Sequence, residues 1–439
     1  MMSEIATLPA LTRDIEPAGT RRLMLFFAVV YLAEGICQSD GLIAQPLNFY
    51  LKQVHGWTAV QITAFLTVFN LPWFLKPLYG IWSDFVPVFG YRRKSYLLVA
   101  NSGAAAAYLG IMVTGAPDTL LVLLLVAIYG MAIVSTLSGA VLVENGQRLC
   151  ASSRFVNQQW LWFNVAAIAT SITGGALVQW LTPLDALHAA ALLAGITPLA
   201  VIAATIAFIE EEKTAISAAD MKVSVASLLA AVRTRRLWLL GAFLFFFYFS
   251  PGIDTPLYFF MTDRLKFSQA FIGILNSVAA LGGIAAALFY AAYLRNLDNR
   301  RMLYLSIVTG VLATLTFVFM SSPLTAAAAQ FCYGAASMWT LVASLGLAAD
   351  CCPKRSEAFG FAALLAITNL SGAIADNIGS WLYEHVFGNE IAPLIVVAAA
   401  FTAINFALVP LLRLPRASER QRDRVTTRFY RRIAGRAGG

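Results

Sequence analysis

Leu71-Pro-Trp-Phe-Leu-Lys-Pro-Leu-Tyr-Gly-Ile-Trp-Ser-Asp84-Phe-Val-Pro-Val-Phe-Gly90-Tyr-Arg-Arg-Lys94-Ser-Tyr96 decides the fold. It leaves one apolar run, crosses a short charged loop and enters the next apolar run. Asp84 stands at the near edge of the loop, and Arg92, Arg93 and Lys94 at its far edge. Gly80 is small enough for a neighbouring helix to approach closely. A knot of Lys and Arg beside a long apolar run marks the cytoplasmic flank of a membrane span.

Gly80 to Asp84, followed by Arg92 and Arg93, resembles the loop between the second and third helices of the major facilitator superfamily. The fuller pattern is Lys76 to Gly80, Ser83-Asp84, Pro87 and Gly90 to Arg93. It resembles the folate–biopterin transporter family more particularly. Ser250-Pro251-Gly252, Phe259-Phe260 with Phe267-Ser268, and Pro353 with Glu357 and Asn369 look like second-half features of that family. The resemblance implies twelve transmembrane helices in two pseudo-symmetric six-helix bundles, and transport by alternating access.

Composition points the same way. Of 439 residues, 59% are hydrophobic and 12% charged, where a soluble domain carries about 25% charged residues. The net charge of +8 sits in short loops and a tail, which fits membrane topology and not nucleic-acid binding. The five cysteines show neither metal-ligand spacing nor a disulfide framework. No phosphate-binding Gly-x-x-x-x-Gly-Lys-Ser/Thr motif and no His-Glu-x-x-His is present. Neither ATP drive, a metal, a cofactor nor an enzyme is expected.

Twelve runs meet the length of about 20 apolar residues that a span needs: 23–49, 59–83, 95–115, 119–145, 156–181, 185–209, 237–261, 269–294, 302–321, 324–349, 357–385 and 391–412. Residues 1–22 form an N-terminal arm, 23–209 the first bundle, 210–236 a linker, 237–412 the second bundle and 413–439 a basic tail. With the N-terminus inside, 27 of the 31 Lys and Arg residues face the cytoplasm, so both termini are expected there. The arginine-rich tail either binds anionic lipid headgroups or fixes topology. A monomer is expected.

The halves echo each other. Tyr31-Leu-Ala-Glu-Gly-Ile36 aligns with Tyr248-Phe-Ser-Pro-Gly-Ile253, and Arg92-Arg93-x-x-Tyr96 with Arg300-Arg301-x-x-Tyr304. Asn164 and Gly174 share their spacing with Asn369 and Gly379. Such internal repeats are a mark of secondary transporters.

Polar stripes place the candidate site. Tyr31, Glu34, Gln38, Gly41 and Gln45 share one helix face, as do Thr63, Thr67 and Asn70. Gln330 and Tyr333, and Asn369, Gly372, Asp376 and Ser380, form further stripes. They either line a water-filled cavity or bond one helix to another. Glu34 lies twelve residues past Arg22, about 18 Å along the helix, near mid-membrane. A carboxyl at that depth is costly when charged, which suits a group that takes up and releases a proton. Asp254 and Asp376 fall in the outer half. Glu34, Gln38, Asn70, Asn164, Asp254, Gln330, Asn369 and Asp376 are therefore the candidate substrate and proton residues. Pro251-Gly252 is expected to interrupt the seventh helix.

Asp84, Arg92, Arg93, Glu144, Arg148 and Arg300 cluster at the inner helix ends. The superfamily resemblance implies a gate whose charges pair and separate during transport; the alternative is solvated loop charge. Lys76, in the inner half of the second run, joins this group, and either snorkels, pairs with Glu144 or Asp84, or meets an anionic solute. The solute is expected to be folate- or pterin-like and proton-coupled, the alternative being a sugar or muropeptide. Folate carboxylates would look for a deep cation, and Lys76 alone is available, which favours pterins.

Overall fold

The computed structural model describes residues 18–149, 152–213, 233–294, 297–351 and 357–412. The arm before Ala18, most of the 210–236 linker and the tail lie outside the described residues, as do the side chains of Asp84 and Asp350.

Among the described residues the chain is helical, without named strands, and traces twelve passes. Seven of them, among the described residues, hold a helix long and apolar enough to cross a membrane alone. These are α7 (Pro117–Arg148), α8 (Ser152–Trp180), α9 (Pro183–Phe208), α12 (Gln269–Phe289), α13 (Asn299–Thr316), α14 (Pro323–Cys351) and α16 (Ile391–Leu408). The third and eleventh passes are α6 (Lys94–Ile111) and α15 (Glu357–Trp381).

The other three passes are broken, where the sequence predicts continuous runs for two of them. The first consists of α1 (Ala18–Cys37) and α2 (Ala44–His55), separated by the Ser39-Asp40-Gly41 turn. The second divides into α3 (Ala59–Phe69), α4 (Leu71–Phe74) and α5 (Lys76–Phe85). Pro72 and Pro77 lack the N–H that a continuing helix would use, and each sits just inside a new helical start. The seventh pass, with its expected interruption, comprises α10 (Arg235–Tyr248) and α11 (Asp254–Phe259), parted at Pro251-Gly252. A π turn, Phe260–Arg264, follows α11, and another, Leu382–Val386, follows α15.

Four apolar clusters hold the passes. One joins Leu23, Phe26, Phe27, Val141 and Phe155 near the Asp84–Arg93 loop, and a second joins Leu47, Leu51, Ile62, Phe69 and Tyr108 toward the opposite, far end. The last six passes repeat the division: Leu237, Leu244, Leu303 and Leu347 form one cluster, and Leu257, Met261, Ile272, Phe317 and Leu394 the other. Ala59 of α3 is buried in that last cluster, so the two sets of six interpenetrate at the far end.

Close backbone approach marks the same end. A Cβ on Gly273 of α12 would strike the Ser171 carbonyl, and one on Gly175 of α8 would press on Gln269 and Gly273. The repeat-related glycines do equivalent work. Gly174 faces the Leu42 carbonyl in the break after α1, and Gly379 faces the Gly252 backbone in the break after α10.

Candidate functional site

The centre of the first six passes holds a hydrogen-bonded polar chain of three residues, Lys76, Ser135 and Glu34. The Ser135 hydroxyl of α7 donates to Glu34 Oε1 at 2.6 Å. Lys76 Nζ, at the start of α5, donates to the same hydroxyl at 3.0 Å. The ammonium also lies over the Trp73 ring, 4.2 Å from its centroid, an attractive placement for a desolvated cation. Glu34 is 6% exposed. Its Oε2 atom and the Tyr31 hydroxyl are buried and have no hydrogen-bond partner among the described residues. Ser135 thus links a cation to a carboxylate by two hydrogen bonds. Sequence reasoning groups Lys76 with the loop charges; in the structure its ammonium bonds Ser135, which in turn bonds Glu34.

A second polar centre forms where the broken passes meet. The Gly252 N–H donates to the Ala375 carbonyl at 2.9 Å, which satisfies one of the groups freed by the break. Asp376 lies against Gly252 so closely that no side chain fits there. Asp40, from the first break, lies within electrostatic reach of Asp254 and Asp376. Tyr333 of α14 lies within electrostatic reach of the last two. Asp40 and Asp254 are exposed although they belong to interior passes, and Asp376 is half-buried. Three carboxylates within electrostatic reach of one another repel unless protons or a cationic group intervene.

The other candidates are scattered around these centres. Gln38 opens the first break, its carbonyl accepting from Gly41 at 2.9 Å. Asn70 stands at the α3–α4 junction. Asn164 turns back to the Trp160 carbonyl of its own helix at 2.7 Å. Gln330 is buried, and Asn369 is exposed.

At the loop end, Arg93 draws the charges together. Its guanidinium donates to Glu144 at 2.9 Å and to the Ser83 hydroxyl at 2.6 Å, and its side chain is 8% exposed. Glu211, just past α9, accepts from the backbone N–H groups of Arg92, Arg93 and Lys94 at 2.7–3.1 Å. A carboxylate at the N-terminus of α6 satisfies donors that the helix leaves open. Sequence reading treats Glu211 as linker, and its acidic run Glu210-Glu211-Glu212 was the available signal. Arg148 bonds Asn145 within its own helix at 2.8 Å, and Arg300 lies over Tyr304 at 5.8 Å, so neither joins the Arg93 cluster through these contacts.

At the far end, bonds tie the two sets of passes together. Lys52 pairs with Asp263 at 2.7 Å, also bonds Thr262, and lies over the Phe259 ring at 4.1 Å. Gln45 donates to the Gln269 carbonyl at 2.8 Å. A cavity of about 420 Å³ lies beside them, lined by Lys52, Trp57, Phe259, Tyr383 and Glu384 among others.

Known proteins share both the sequence and the architecture. The folate-biopterin transporter of Synechocystis is 26% identical over 410 residues, covering 89% of this chain and 81% of its own. Folate transporter 2 of Plasmodium falciparum is 24% identical over 428 residues, covering 91% and 90%. Among solved structures, the nucleoside transporter NupG superposes with a TM-score of 0.67 at 13% identity, covering 90% of this chain and all of its own. A D-xylose-proton symporter gives 0.67 at 12% identity, covering 88% and 97%. The two solved structures show that the chain has the fold of multi-pass membrane transporters, the major facilitator fold. The BT1 family profile matches residues 35–428, and the chain belongs to the BT1 family.

Proposed function

We propose that this transporter carries a pterin- or folate-like organic solute by alternating access, coupled to protons. The observation that carries the reading is the Lys76–Ser135–Glu34 chain, a hydrogen-bonded cation and carboxylate buried in the middle of the first bundle. The relatives named for folate and biopterin transport supply the solute class. Lys76, the deep cation, is engaged by Ser135, which favours a pterin ring over a polycarboxylate.

The two bundles would span residues 23–209 and 237–412, with both termini and the Arg93 cluster on the cytoplasmic side. The far end is then external, and its cross-bundle bonds describe a carrier closed to the outside. Arg93 and Glu144 belong to the inner gate, and Asp84 is assigned to it on sequence alone. Glu34 is the coupling carboxylate, and Asp254 and Asp376 line the solute path.

Uptake of labelled pterin by proteoliposomes with an imposed pH gradient tests the reading. A pterin or folate should accumulate and be displaced by unlabelled pterins but not by nucleosides, sugars or muropeptides. Displacement by one of the latter and not by pterins would overturn the solute class. Accumulation indifferent to the pH gradient would overturn the coupling.

A further inference from the structure

The second and eleventh passes run antiparallel, and three hydrogen bonds join them like rungs. The Val60 N–H donates to Glu384 Oε2 at 2.9 Å. The Thr63 and Ser380 hydroxyls meet at 2.7 Å. Asn377 Nδ2 donates to the Thr67 hydroxyl at 2.6 Å. Positions 60, 63 and 67 step along one face of α3 as 384, 380 and 377 step back along the other pass, one helical turn per rung. Thr63 and Ser380 are buried. Past the last rung the facing residues turn apolar: Phe74, Leu370, Ala373 and Ile374 border a groove of about 410 Å³.

Each rung has a local cause. Thr58 and Gln61 form a capping box at the start of α3, bonding the N–H of Gln61 and of Thr58. That leaves the Val60 N–H, one of the four donors a helix start exposes, and Glu384 reaches it from the other bundle. The carboxylate also meets the positive end of α3. Thr63 and Thr67 lie four residues apart, and the Thr67 hydroxyl donates to the Thr63 carbonyl at 2.9 Å. Its proton is thereby committed, which leaves its oxygen to accept from Asn377. Asn377 in turn is oriented by a second bond to the Ala373 carbonyl at 2.7 Å.

We infer that this three-rung zipper is a latch of the far end, acting beside the Lys52–Asp263 and Gln45–Gln269 bonds, and that its rungs shift the balance between closed and open. The inference rests on the alternating-access reading. Two of the rungs join neutral groups, and water can replace both partners when the end opens. The net strength of a neutral bond is therefore small. Two such bonds, with one from a backbone N–H to the Glu384 carboxylate, hold the end shut without trapping it, which a set of fully buried charge pairs would not allow. The facing residues past the third rung are apolar, so separation that starts at Glu384 and reaches Asn377 breaks all three of these bonds.

The test uses the full chain in proteoliposomes, on a background in which the five native cysteines are replaced. Ala59→Cys places a thiol where α3 is buried in the other bundle. An impermeant maleimide added at the far end should label it slowly. Thr63→Val, Ser380→Ala or Asn377→Ala should each speed labelling roughly two- to tenfold, the range one neutral hydrogen bond supplies. In a separate pair, Thr63→Cys with Ser380→Cys should form a disulfide under mild oxidant, stop solute flux, and regain it on reduction. Labelling unchanged by the rung variants, or a disulfide that leaves flux untouched, would overturn the latch. If the rung variants fail to insert, the disulfide pair decides alone. Faster labelling in a protein that moves no pterin would leave the latch standing and remove the solute assignment.

Discussion

Gly252 and Gly379 stand back to back: a Cβ on Gly379 would strike the Gly252 backbone, while the Gly252 N–H is bonded to Ala375 one turn away. The break in the seventh pass and the surface of the eleventh are therefore a single fitted joint. Gly379→Ala should destabilise the protein by about 1–3 kcal/mol, the usual cost of overpacking. Gly372, on the same helix, has open space around its Cβ position. Gly372→Ala should be neutral or stabilise by up to about 1 kcal/mol through helix propensity. Unfolding midpoints of the two variants in detergent check the contrast, and equal midpoints would reject the joint.

Glu34→Gln should preserve solute exchange and abolish accumulation. Gln keeps the shape of the protonated acid and can still accept from Ser135, but it cannot titrate. Counterflow and pH-driven uptake, measured on the same vesicles, separate the two effects. Concentrative uptake with the parent pH profile would return Glu34 to a structural role and shift attention to Asp254 and Asp376.

Arg93→Lys should fail to replace Arg93. The guanidinium serves Ser83 and Glu144 at once, and an ammonium lacks that planar fork. Loss of a charged hydrogen bond of this kind weakens the contact by about 1.5–3 kcal/mol. Glu144 is half exposed, so Glu144→Gln should cost less than Arg93→Ala. Asp84→Asn should insert normally and slow transport. Initial uptake rates normalised to membrane-inserted protein give the order, and equal rates for all four would dismiss the gate.

Ser321→Cys should react with an impermeant thiol reagent applied to intact cells, and Arg233→Cys only after the membrane is opened. Both positions are exposed, so reactivity reports sidedness and not burial. The reverse pattern would invert the topology inferred from Lys and Arg placement.

Local chemistry was legible where a residue type acts on its own backbone. Pro251-Gly252 announced the seventh break, and the basic loop announced its flank. The twelve passes followed from apolar length. The first break was less visible, because no proline lies between Pro17 and Pro46 and only the turn-forming Ser39-Asp40-Gly41 signals it. Polar stripes on the second and eleventh runs were visible, but their pairing into rungs was not, since Thr63 and Ser380 are 317 residues apart. Glu384 and Asn377 went unnoticed for the same reason. The bond between Lys76 and Ser135 depends on how α5 turns after Pro77, which sequence spacing alone does not give.

Glu211 changes the arithmetic of the connector between the bundles. By holding three successive N–H groups of the second loop, it fastens the chain past the end of α9 to the body of the first bundle. Any slack available to a moving second bundle therefore starts beyond Glu211, not at Ile209. That removes about three residues of reach, roughly 10 Å of extended chain. Swapping the carboxylate for an amide would lengthen the leash without adding a residue.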